Sequence, residues 1–147
     1  MGTIKALYRR AQALNIDQVI ETALDETVDK GEFFEDQLRK QLTAGFDKTG
    51  ARLRPYKSRA YAAKKHSQNP LPGYGNPDYR LSGRTHRGLH AESTREFITV
   101  RSPTHYFKFL LKRDPGAFSL GGQYKKDFID QRLRPTLFTH IRKKLKL

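Results

Sequence analysis

The chain has 147 residues, 29 Lys and Arg against 15 Asp and Glu, a formal net charge of +14 and no cysteine. Disulfide scaffolds, zinc–thiolate sites, iron–sulfur clusters and thiol nucleophiles are therefore excluded. The length suits one domain, which at this size buries about 70% of the surface its unfolded chain exposes.

The apolar fraction is 36%, but 9 Phe and 7 Tyr supply aromatic mass for a core. No uncharged apolar run approaches the roughly 18 residues of a membrane span. The opening stretch, MGTIKALYRRAQALNIDQ, lacks the apolar segment of a secretory signal. Neither a span nor a signal is expected.

The charge is divided along the chain. Residues 1–50 hold 7 basic and 9 acidic residues, whereas residues 51–147 hold 22 and 6. Eight of the acids fall between Asp17 and Asp36. The expected organisation is a single domain, 1–147, with an acidic-flanked helical part at 3–45 and a basic α+β remainder at 51–147. A chain with this balance seeks nucleic acid, acidic protein surface or both.

In chain order, Ile4, Leu7, Ala11 and Leu14 carry helical spacing over 3–14. Asn15 and Asp17 offer cap chemistry for a restart. Ile16, Ile20, Leu24, Val28, Phe34, Leu38 and Leu42 then predict one long amphipathic helix over 17–44, with Gly45 as its stop. Gly31 is its weak point, at about 1 kcal/mol relative to Ala. Asp17, Glu21, Asp25 and Asp29 fall one position after the apolar stripe, about 100° around the helix, as an acidic flank.

Asp47-Lys48-Thr49-Gly50 reads as a turn, and Ser58 can cap a short helix over 59–66. Residues 67–79 are rich in Pro and Gly and read as a loop. An apolar step at Leu81 and a Ser82-Gly83 turn lead to two strands, 86–93 and 96–100, joined at Thr94-Arg95. Pro103 can open a helix carrying Tyr106, Phe107 and Leu110. Two helical pieces, 123–133 and 136–145, are expected on either side of Pro135. The fold class is α+β: a long N-terminal amphipathic helix, a small antiparallel sheet and C-terminal helices.

Chemistry-bearing patterns are sparse. His86 and His90 are four apart, but no third ligand follows at metal-site spacing. Gly73-Tyr74-Gly75-Asn76 lacks the Gly-Lys-Ser/Thr of a P-loop, and no Gly-x-Ser-x-Gly elbow surrounds Ser82. No catalytic residue, metal site or cofactor is expected.

The basic residues are more informative. Arg52, Arg54, Lys57, Arg59, Lys64 and Lys65 interleave with Tyr56 and Tyr61. Arg84 and Arg87 follow, and Arg142, Lys143 and Lys144 close the chain. These are the candidate contacts to nucleic acid or an acidic partner, since cations with aromatics suit phosphate contact and base stacking. Asp17, Glu21, Asp25 and Asp29 are the candidate contacts between subunits.

A wider pattern connects these segments. Gly45-Phe46-Asp47-Lys48-Thr49-Gly50 and Pro55 form G-x-D-x-x-G-x-x-x-x-P after a helix, Lys64-Lys65 follow, and Leu81-Ser82-Gly83 opens a β segment ending near Tyr106. This pattern resembles the tailed-phage virion-morphogenesis and tail-completion proteins. Ser82 stands where that family usually has Thr, Phe107 replaces a small residue after the tyrosine, and Arg134-Pro135-Thr136 is the nearest counterpart of a C-terminal R-P-F loop. The resemblance implies a non-enzymatic subunit of the head–tail junction, assembled in the bacterial host cytoplasm into the virion. Its implied partners are copies of itself in a ring around the DNA channel, neck, portal or tail proteins, and packaged DNA without sequence preference. A basic nucleic-acid-binding protein of ribosomal type is the alternative.

Overall fold

The computed structural model describes residues 3–68, 77–79 and 83–147. The order is α1 (Ile4–Gln12), α2 (Ile16–Leu24), a π-helical turn (Asp25–Asp29), α3 (Phe33–Ala44), α4 (Arg59–Gln68) and α5 (Arg84–Arg87). Then come β1 (His90–Ser93), β2 (Ile98–Arg101), α6 (Phe107–Arg113), α7 (Gly122–Phe128), a second π turn (Ile129–Leu133) and α8 (Arg134–Leu145). Helices with one small antiparallel sheet make this an α+β fold. The Leu81 step, Ser82 and most of the Pro-rich loop lie outside the described residues.

The single long helix expected over 17–44 does not form. Asn15 caps α2 by accepting from the Gln18 N–H at 3.1 Å, as its side chain allows. The helix then widens into the π turn, where the Lys30 N–H donates to the Asp25 carbonyl at 2.9 Å. The Thr27 hydroxyl bonds back to the Ala23 carbonyl at 2.7 Å, a contact that bends helices. Gly31 follows so closely that a Cβ there would stand 2.8 Å from the Thr27 carbonyl oxygen. The chain therefore breaks at 30–32 and restarts as α3, which ends at Gly45 in the left-handed conformation, φ 79°.

The stripe survives the break. Leu24, Val28, Phe34, Leu38 and Leu42 all enter one core with Leu53, Leu89, Ala91, Val100, Phe107, Phe118 and Phe128. Phe34 meets Phe128 edge-on, with ring centroids 5.2 Å apart. Ile20 packs at the rim, whereas Val19 and Ala23 are buried.

The first strand is shorter than expected. Residues 84–87 form α5, so His86 belongs to a helix and only His90 to a strand. The sheet pairs His90 with Arg101, Ala91 with Val100, Glu92 with Thr99 and Ser93 with Ile98. The Ala91 N–H donates to Glu35 Oε1 at 2.8 Å and the Ser93 N–H to Asp29 Oδ1 at 2.6 Å, which ties β1 to α3 and the first π turn. The helix after Pro103 begins only at Phe107.

Pro135 does not divide the C-terminal helix either. A proline inside an α-helix removes one N–H and crowds the carbonyl four residues back. Here the π turn directly precedes α8, and Pro135 falls in its first turn, so the helical path continues from 122 to 145.

The turn at 47–50 forms as expected. Asp47 Oδ1 accepts from the Thr49 N–H at 2.8 Å, the Thr49 hydroxyl at 2.6 Å and the Ala51 N–H at 3.1 Å. The Thr49 hydroxyl is the main cause holding the Asp47 carboxyl below its ordinary value. A lowered folded pKa gives stability that is present above the unfolded value, about 3.9, and lost as pH falls through the folded one. Asp47→Asn should therefore be less stable than the parent at neutral pH. The difference should shrink in urea titrations as pH drops below about 4.

Candidate functional site

Between Asp47 and Glu92 the sequence holds one acid, Asp78, and between Glu96 and Asp127 it holds one, Asp114. Both are buried. Two further buried polar side chains, Lys65 and His86, meet Asp78.

Lys65, on α4, places Nζ 2.7 Å from Asp78 Oδ1, with the lysine side chain 1% and the aspartate side chain 3% exposed. Lys65 is thus a correction: it is an interior ion pair and does not join a surface for nucleic acid. The Asp78 carbonyl faces His86 Nε2 at 2.7 Å, and the His86 carbonyl accepts from Arg39 Nε at 2.7 Å. This chain of contacts runs from α4 through α5 to α3.

Tyr79 is left-handed, φ 55°, a conformation that strains a bulky residue by about 1–3 kcal/mol. Two contacts hold it. Its ring stacks on Phe118 at 5.8 Å, and its hydroxyl donates to Asp114 Oδ2. Burial, then the hydrogen bond to Asp114, push the Tyr79 phenol up from its ordinary value. Asp114 also receives Arg54 Nε at 3.0 Å and Arg113 Nε at 3.3 Å. Arg113 Nη2 donates to the carbonyls of Arg54 and Pro55 at 2.6 and 2.7 Å, and its guanidinium lies 5.5 Å from the Tyr56 ring centroid.

Lys65, Tyr79, Arg113 and Tyr56 border an open cavity of about 370 Å³. Tyr56, Tyr61, Tyr79 and Tyr106 form its aromatic walls, and Lys65, Arg84 and Arg113 its cationic ones. Tyr56 and Tyr61 meet edge-on at 5.1 Å, and burial raises the Tyr56 phenol too. The Thr85 hydroxyl donates to the Tyr106 oxygen at 3.0 Å. Aromatic faces beside fixed guanidinium groups can stack a planar group and hold an anion.

The other expected contacts are distributed. Arg52 lies over the Phe46 ring at 4.7 Å. Lys57, Arg59 and Lys64 are exposed on or just before α4, and Arg84 and Arg87 on α5. Arg142, Lys143 and Lys144 form the exposed last turn of α8, which packs on α1 and α2. So Lys65 and Arg84 line the tyrosine cavity and Arg54 reaches Asp114 instead, while the α8 cluster belongs to the α1–α2 layer.

The acidic flank divides likewise. Glu21 is exposed, Asp17 faces Arg95 at 3.3 Å and Asp25 faces Lys30 at 2.5 Å. Asp29 is spent within the subunit on the backbone and hydroxyl of Ser93, so it is corrected from the contact set. His86 and His90 do not converge: His90 Nδ1 instead lies 3.6 Å from Glu35 Oε1. No cluster of three metal-binding side chains occurs among the described residues, and no helix there is long and apolar enough to cross a membrane.

Comparison with protein-family models, curated proteins and solved structures finds no match.

Proposed function

We propose that the protein is a non-enzymatic structural subunit of a phage head–tail junction, a neck or tail-completion protein acting as part of an oligomeric ring around the DNA channel. The observation that carries the assembly role is α1. It is amphipathic by sequence, yet none of its residues is buried. Ile4 is 88% and Tyr8 63% exposed, and α8, which it touches, exposes Phe138. An amphipathic helix gains most of its stability by burying its apolar face. Left open beside an exposed aromatic on α8, that face suits another protein chain.

The charge split supports the same reading. Heterologous contacts that close on themselves make rings, and an acidic edge meeting a basic one favours that arrangement. Purified protein should appear as rings in electron micrographs. Deleting the gene from its phage genome should leave filled heads and unattached tails. A monodisperse monomer together with intact virions from the deletion would remove this reading.

Reversing Asp17, Glu21 and Asp25 to Lys should weaken assembly several-fold without unfolding the subunit, because all three lie outside the core. Isolated exposed pairs contribute about 0–1 kcal/mol each, so a merely solvated flank would show almost no effect on sedimentation.

The exposed cations of α4 and α8 favour a second reading, sequence-independent DNA contact within the channel. Affinity should then fall linearly with salt on logarithmic axes, by about 0.9 per phosphate neutralised. Preference for one sequence would count against it.

A further inference from the structure

The two edges of the small sheet are not equivalent. In an antiparallel pair, alternate residues turn their N–H and C=O groups away from the partner strand. The Ala91 and Ser93 N–H groups bond to Glu35 and Asp29, so these two residues face away from β2. Their register partners, Val100 and Ile98, must then face away from β1. The turn agrees, since the Thr94 N–H donates to the Phe97 carbonyl at 2.8 Å, the bonded pair next in the alternation. Two carboxylates close the β1 edge. No side chain or backbone group among the described residues bonds to the outward groups of Ile98 and Val100 on the β2 edge.

Beside that open edge lies an apolar groove of about 330 Å³. The hairpin residues that border it run from Thr94 to Ile98, the turn and the first residue of β2. Leu24, Phe34, Phe118, Phe128, Ile129 and Leu133 supply its apolar lining. Phe97 at its rim is 61% exposed. Arg95 and Lys125 stand on the rim against one acid, Glu96, and Lys125 has no ion-pair partner among the described residues.

We infer that the β2 edge receives an extended segment of a different protein chain as a third strand. That segment places an apolar side chain in the groove and an acidic one at Lys125. Strand addition of this kind takes affinity from main-chain hydrogen bonds and selectivity from pockets for alternate side chains. An unpaired edge is normally blunted by charge, proline or cover. Here the β1 edge is blocked, and the β2 edge begins, at Ile98, in the lining of a groove, which suits a receptor strand. The inference adds a partner to the assembly role proposed above and is tested separately from it.

The probe is a fluorescein-labelled, amidated octapeptide alternating Val or Leu with Asp, added to the full chain. Saturable binding should slow amide exchange of Ile98 and Val100 at least tenfold, with little change at His90 or Glu92. Ile98→Pro removes an outward N–H and leaves the β1 ladder, so it should weaken binding about five- to tenfold. Circular dichroism checks that this variant folds. Lys125→Glu, an exposed position, should weaken binding about threefold at low salt and hardly at all at high salt.

Unchanged exchange at Ile98 and Val100 with peptide in excess overturns the inference, as does equal binding by Lys125→Glu at low salt. A concentration-dependent dimer that protects the same two amides gives the edge to a second copy, and this also overturns the separate partner. None of these results bears on rings built through α1, which the micrographs test.

Discussion

Asp78→Ala should destabilise the protein by about 3–5 kcal/mol, because it strips the carboxylate from a buried ammonium. Lys65 Nζ and Asp78 Oδ1 are 2.7 Å apart with both side chains almost fully enclosed. Removing one charge leaves the desolvation cost of the other without its main compensation. Urea unfolding measures it directly, as a fall in midpoint at unchanged slope. The double replacement Lys65→Met with Asp78→Leu distinguishes causes. If the loss comes from an uncompensated charge, this apolar pair should recover much of it. A single-variant cost below about 1 kcal/mol would mean that water reaches the pair.

This site is also where the sequence is least transparent. Lys65 stands in a run of surface-like cations, and nothing in its neighbours separates it from Lys64, which is exposed. The missing signal lies on the other side of the pair. Asp78 and Asp114 are each the sole acid in a long basic stretch, and each is the hub of a buried network. A solitary acid among many cations has many possible partners, and a partner offsets part of the desolvation cost of burying a carboxylate. The left-handed Tyr79, held by one of these acids, has no local sequence signature at all.

Other parts were legible for physical reasons. Caps at Asn15, Ser58 and Gly45, and the Asp47 turn, depend on contacts within five residues, and all four form. Apolar periodicity found the face of the N-terminal segment but not its continuity. The apolar positions step by four, then by six from Val28 to Phe34, then by four again. The π turn and the three-residue joint around Gly31 absorb that phase jump. α1 forms where the spacing over 3–14 predicts a helix, yet none of its residues is buried. Periodicity reports which face is apolar, and it does not report which molecule covers that face.

The contrast between Leu38→Ala and Ile4→Ala tests that distinction. Leu38 has no exposed surface and sits at the centre of the cluster, whereas Ile4 is 88% exposed. Leu38→Ala should cost about 2–5 kcal/mol, the lost transfer energy of the side chain plus the cavity it leaves. Ile4→Ala should change the stability of the isolated subunit by less than about 0.5 kcal/mol, since a side chain this exposed gains little burial on folding. If α1 is an interface, the order reverses for assembly. Ile4→Ala should then shift the oligomerisation curve to higher protein concentration, because its apolar area is removed from water only when a neighbour arrives. Leu38→Ala should act on assembly only through the fraction of subunits unfolded, so stabilising osmolyte should restore its assembly and leave the Ile4→Ala defect in place. A surface-like cost for Leu38→Ala would overturn the core assignment. An unchanged oligomerisation curve for Ile4→Ala would leave the exposed stripe of α1 without an interface to serve.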